Sequence, residues 1–143
     1  MPVADEIVAV ARGWIATPYR HQASRRGSGA DCLGLIRGVW RTIYGDEPEN
    51  VPRYSMDWSE PQKEEALWCA AARHLVAKPV GDLSAGDVIL FRMRQNSVAK
   101  HLGIVTDAGA DAAFVHAYSG HGVVESPLSL PWRRRVVACF KFP

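Results

Sequence analysis

Cysteine is scarce in this chain, and its count of three is odd. An odd number in 143 residues does not make the paired framework of a disulfide-stapled domain, so reduced thiols are expected where the chain is made. Charge of one sign is lacking too. The formal net charge is only +2, too weak to imply nucleic acid or an anionic membrane surface as a partner. No run approaches the roughly 18 apolar residues of a membrane-spanning helix. The first residues, MPVADEIVAVARGW, carry Asp5 and Glu6 and lack the cationic-then-apolar order of a signal peptide. The glycine-containing GSGADCLG has neither the lysine nor the spacing of a phosphate loop. There is no CxxC, and His116 and His121 are only a loose match to a paired-histidine ligand set for zinc, so neither a metal nor another cofactor is expected. No repeat, linker or low-complexity stretch divides the chain, and 143 residues suffice for one domain with a real core.

What is present reads as helices followed by strands. Val3, Ile7, Val10, Ala11, Trp14 and Ile15 recur at helical spacing, and Pro18 should stop that helix near Ala16. Residues 17–31 form a polar loop. A second helical run holds Leu33, Leu35, Ile36, Val39, Trp40, Ile43 and Tyr44, with Asp31 suited to its N-cap and Gly45 to its C-cap. DEPENVPRYSMDWSEP, with three prolines, reads as an irregular surface loop, and the alanine-rich residues 62–77 as a third helix. Beyond Pro79 come the short β-branched or aromatic runs DVILFRM, HLGIVTD, AAFVHAY, GVVES and RVVACFKF, spaced as an antiparallel meander of about five strands. The class expected is α+β.

The residues able to carry chemistry centre on Cys32. At the head of a helix, a thiol faces unpaired N–H groups and the positive end of the helix dipole, which should lower its pKa and offer donors to an oxyanion. A buried structural cysteine is the competing reading, and it suits Cys69 and Cys139 better. A nucleophilic thiol needs a base. His101 opens one predicted strand and His116 lies within the next, so two imidazoles on one face of a hairpin would meet: one to take the thiol proton, the other to orient it. His21 and His74 read as surface or helix-face residues. Arg25, Arg26 and Arg133 to Arg135 read as solvated loop charges or contacts to a partner protein.

In their order and spacing, TPYRHQASRRGSGADCLGLIRGVW, LSAGDVILFRM, KHLGIV and FVHAYSGHGVVESPL resemble the NlpC/P60 cysteine peptidases. They look most like the branch that phages, prophages and gene transfer agents encode as tail-associated cell-wall peptidases. The resemblance implies a papain-like α+β domain with N-terminal helices packed on the sheet. It makes Cys32 the nucleophile, His101 the general base and His116 the orienting residue. Tyr19 corresponds to a tyrosine near the oxyanion site, and Asp31 to an aspartate that recognises the amine of a stem peptide. The implied reaction is hydrolysis of peptidoglycan stem peptides, commonly at the D-glutamyl–diaminopimelate bond. The implied partners are tail-tip or baseplate proteins, with synthesis in the cytoplasm, incorporation in a phage-like particle and action in the wall of the recipient cell. Leu33 stands where relatives often have serine, and Arg20-His21-Gln22-Ala23 replaces a frequent glycine pair. Two other roles fit the same fold: a structural tail adaptor, and a thiol acyltransferase or amidase.

Overall fold

A computed structural model describes residues 2–54 and 65–143. Helix α1 (Ala4–Arg12) buries Ile7, Val8 and Ala11. It ends short of the expected stop. Trp14 and Ile15 donate to Ala11 and Arg12 in tighter turns, Ala16 takes a φ of +78°, and the Ala16 N–H pairs with Val123. Pairing with a strand thus outcompetes another helical turn. Trp14 stays buried through the bend, but Val3 and Ile15 of the expected apolar face are 64% and 40% exposed.

Helix α2 (Cys32–Tyr44) matches its apolar run. The Asp31 carboxylate accepts the Gly34 N–H at 2.7 Å, a cap contributing about 1 kcal/mol. Gly45, with φ at +94°, ends the helix in a conformation that favours glycine. Helix α3 (Ala66–His74) is shorter than the expected 62–77. Residues 62–64 lie outside the described residues. At the other end, Leu75 is extended and Val76–Lys78 form a strand, because a β-branched residue close to Pro79 favours sheet over helix. Residues 46–54 of the expected loop carry no regular element, and 55–61 lie outside the described residues.

Six antiparallel strands form the main sheet: β3 (Val76–Lys78), β4 (Val88–Phe91), β5 (His101–Asp107), β6 (Ala113–Tyr118), β7 (Gly122–Pro127) and β8 (Val136–Lys141). Their spatial order is β3-β8-β4-β5-β6-β7. Only β4 to β7 make the expected meander. β8 returns to the open side of β4, and β3 adds a sixth strand. Two further strands, β1 (Ser24–Arg25) and β2 (Gly29–Ala30), pair inside the stretch expected to be loop. A short helix, α4 (Leu130–Arg133), follows β7.

The sheet is buried on both faces, which explains why β4 reads as an unbroken apolar run rather than an alternating one. Val88, Leu90, Leu102, Ile104, Val115 and Phe140 pack with the apolar sides of α1 and α2. Ile89, Phe91, Val105, Phe114 and Cys139 pack on the other side with Leu128 and Trp132. The class is α+β. No helix among the described residues is long and apolar enough to cross a membrane.

Candidate active site

Cys32, at the first turn of α2, and His101, the first residue of β5, line one pocket of about 150 Å³ together with Tyr19, Asp31, Tyr54 and Tyr118. The thiol is 6% exposed and donates to the Lys100 carbonyl at 3.7 Å. The N–H groups of Cys32, Leu33 and Leu102 all lie against the sulfur and favour a thiolate. They lose to two larger effects. Burial, followed by the adjacent Asp31 carboxylate, pushes the thiol up to about 12. The expectation that the helix terminus lowers this pKa is therefore corrected: the cysteine rests as a thiol.

His101 and His116 meet, but not straight across the hairpin. Continuing the β5–β6 register from Ile104–Val115 puts Gly103 opposite His116, so the two histidines are diagonal neighbours. Gly103 has to be small here, since a Cβ would stand 2.7 Å from the Phe114 ring. The contact is direct: His101 Nε2 lies 2.7 Å from His116 Nδ1. His116 Nε2 in turn lies 2.9 Å from the Ser126 hydroxyl on β7. Phe91, Phe114, Tyr118 and Trp132 ring the pair. Burial, and then repulsion from His116, pulls His101 down to about 3. Burial, and then His121, pulls His116 down to about 4. Both imidazoles are neutral at neutral pH.

The other expected site residues also surround the pocket. Tyr19 joins β2 through a bridge to Ala30, and burial pushes its hydroxyl up to about 12, so it stays an O–H donor. Asp31 is buried with both oxygens engaged. Oδ1 accepts from Gly34, and Oδ2 accepts the Gln22 N–H at 2.8 Å and the Tyr54 hydroxyl. Its capping role is visible in the geometry. His21 is exposed, as its reading as a surface residue expects, and stands at the pocket rim, 2.9 Å from the Tyr54 carbonyl. His74 closes α3 beside Glu49 at 3.0 Å.

Leu33 turns away from the thiol pocket. It lines an apolar hollow of about 230 Å³ between α2, α3 and the 47–54 segment. Among the described residues, no group of three or more His, Cys, Asp or Glu side chains could hold a metal ion. His121 stacks on Tyr118 at 4.9 Å.

Two residues of the site were missed from sequence. Ser126 had a signal. Val124 pairs with His116, so Ser126 is two residues on and faces the same side of the sheet. Tyr54 had none, because it lies in an aperiodic stretch and reaches Asp31 across 23 residues.

No curated protein matches the chain. Among solved structures, it is similar to an NlpC/P60 family protein from Bacillus cereus, at 22% identity and a TM-score of 0.69, over 99% of this chain and 40% of that one. It is similar to the NlpC/p60 domain of the peptidoglycan hydrolase SagA, at 20% identity and a TM-score of 0.66, over 99% of this chain and all of that one. It is also similar to Ly7917, solved with the hydrolysis product of MDP, at 15% identity and a TM-score of 0.63, over 99% of this chain and 63% of that one. At these identities the likeness is one of fold. The NlpC/P60 family model matches residues 16–140, a span that runs from the turn after α1 into β8 and holds Tyr19, Asp31, Cys32, His101 and His116. With a match over that much of its length, the chain belongs to the NlpC/P60 family.

Proposed function

We propose that this protein is a cysteine endopeptidase that hydrolyses peptidoglycan stem peptides at the D-glutamyl–diaminopimelate bond. The observation that carries the reading is the shared pocket of Cys32 and His101, with His101 held by His116 at 2.7 Å. The fold likeness to the peptidoglycan hydrolase SagA supports the substrate class.

The chemistry follows from the resting protonation. A thiol near 12 and an imidazole near 3 do not form an ion pair in advance. The proton leaves sulfur as sulfur attacks. His101 Nε2 is engaged by His116, which leaves Nδ1 to receive that proton. The Cys32 N–H and the Tyr19 hydroxyl stabilise the oxyanion. The imidazolium then protonates the leaving amine as the C–N bond breaks. Water, deprotonated by His101, attacks the thioester and releases the carboxylate and the thiol. Asp31 Oδ2, at the pocket wall, receives the free amine of the stem peptide.

Mass spectrometry of a defined muropeptide after incubation tests the bond: products ending in D-glutamate and beginning with diaminopimelate are expected, and an intact muropeptide overturns the reading. The same assay has a pH signature. His101 acts as a base only when neutral, and burial holds its pKa near 3 rather than 6.5. The acid limb of kcat/KM is therefore expected below pH 5, and a limb near 6.5 contradicts this assignment.

The setting we propose is a phage-like tail tip or baseplate, following the resemblance of TPYRHQ and FVHAYSGHGVVESPL to that branch of the family. The adaptor role is separable by experiment. If cleavage is the sole role, particles carrying Cys32→Ala assemble in normal number, and so do particles lacking the gene, with wall penetration lost in both. Assembly lost on deletion alone shows a structural role as well.

A further inference from the structure

We propose that Ser126 is a positioning residue that sets the tautomer of both active-site histidines by accepting the His116 Nε2–H. The inference rests on the peptidase reading for its consequence, but not for its geometry.

Two neutral imidazoles joined in a line admit two proton orders. In the first, His101 Nε2–H donates to His116 Nδ1, and His116 Nε2–H donates to the Ser126 oxygen. His101 Nδ1 then carries a bare lone pair. In the second, every donor is reversed: the Ser126 O–H donates to His116 Nε2, His116 Nδ1–H donates to His101 Nε2, and His101 Nδ1 already holds a proton. Both orders satisfy the measured contacts of 2.7 and 2.9 Å. Only the first can accept a proton from Cys32. The choice is settled at the far end of the line, 25 residues beyond the base in sequence.

Two features select the first order, and a third makes it depend on Ser126. It puts both rings in the Nε2–H form, which a free histidine side chain prefers. Ser126 is half-buried and lines a hollow of about 520 Å³ with Asp111, Glu125 and Arg133, so its own O–H can turn to solvent while its oxygen accepts from within. His116 itself is fully buried. Without Ser126, the first order would leave an orphaned N–H inside the protein, whereas the second would leave only a bare lone pair. Buried N–H groups without an acceptor are the rarer and costlier defect.

The test uses three variants of the full chain and two readouts. Nitrogen-15 NMR of the histidine rings at neutral pH reports the tautomer without any substrate. Wild type should show His101 with a protonated Nε2 and a bare Nδ1. Ser126→Ala should shift His101 and His116 toward the Nδ1–H form and lower kcat by roughly 10- to 100-fold, the scale seen when metal-bound histidines lose their outer partners. Ser126→Thr keeps the hydroxyl and should restore both. Ser126→Asp can only accept. It should lock the first order and, as a nearby negative charge, move the acid limb of kcat/KM to higher pH.

A wild-type His101 carrying its proton on Nδ1 overturns the proposal. So does Ser126→Ala with an unchanged ring spectrum, whatever its activity. If the spectra behave as expected but no variant, wild type included, cleaves a muropeptide, the tautomer assignment stands and the peptidase reading fails.

Discussion

Cys32→Ala removes cleavage of a defined muropeptide, with a rate loss on the order of 10⁴-fold or more, and leaves the protein folded. The size follows from the chemistry. Among the described residues no other thiol lines the pocket with His101, and the Tyr19 hydroxyl is held protonated by burial. The stability change is small because the lost sulfur is about the size of one methylene, worth about 1 kcal/mol. The Asp31 cap that starts α2 does not involve the side chain at position 32. Circular dichroism should match wild type and Tm should fall by only a few degrees. A variant that is folded and still cleaves at more than one hundredth of the wild-type rate assigns the nucleophile elsewhere.

Gly34→Ala should do the reverse and damage the fold first. A Cβ at this position would stand 1.9 Å from the Ala23 carbonyl oxygen and 3.1 Å from Asp31 Oδ1. Neither group can yield cheaply. Ala23 O already accepts the Asp31 N–H, Ser24 donates to the Gly34 carbonyl at 2.6 Å, and Asp31 is the cap. The first turn of α2 must lift off the β1–β2 hairpin, and the thiol is carried with it. The expected loss is about 3 kcal/mol or more, a fall in Tm on the order of 10 °C. Activity should fall with it, even at temperatures where the variant is still folded. A Tm within 2 °C of wild type would mean that helix and hairpin do not press together as described.

These two positions show which parts of the molecule can be read from sequence. The helix that carries Cys32 was legible from end to end, because its cap, apolar stripe and terminal glycine are all local signals. The extent of β5, and with it the placing of His101 at a strand end, was legible for the same reason. The partners of those elements were not. Nothing in RVVACFKF says that this run lies beside β4 rather than beyond β7, since strand order depends on contacts between distant residues. The thiol was misjudged for a related reason. The helix terminus is local and visible in the sequence, but the larger effect, burial, comes from packing against β5, and the charge of the adjacent Asp31 carboxylate adds to it. The histidine pair was anticipated as neighbours on a hairpin. Its diagonal geometry, and the third group behind it, required the register.

The position of β8 also bears on how the protein is made. β4 is fully buried along its length and pairs with β8 on one side. About 45 residues separate the two, so ribosomal synthesis leaves that side of β4 open until β8 emerges. During this interval VILF is an unpaired, wholly apolar edge, the kind of strand that templates aggregation. β3 waits as well, because among the described residues its ladder is with β8 alone. Sheet closure is therefore a late, long-range event that favours slow folding. Yield of soluble protein should depend more on synthesis rate and temperature than the stability of the finished domain would suggest.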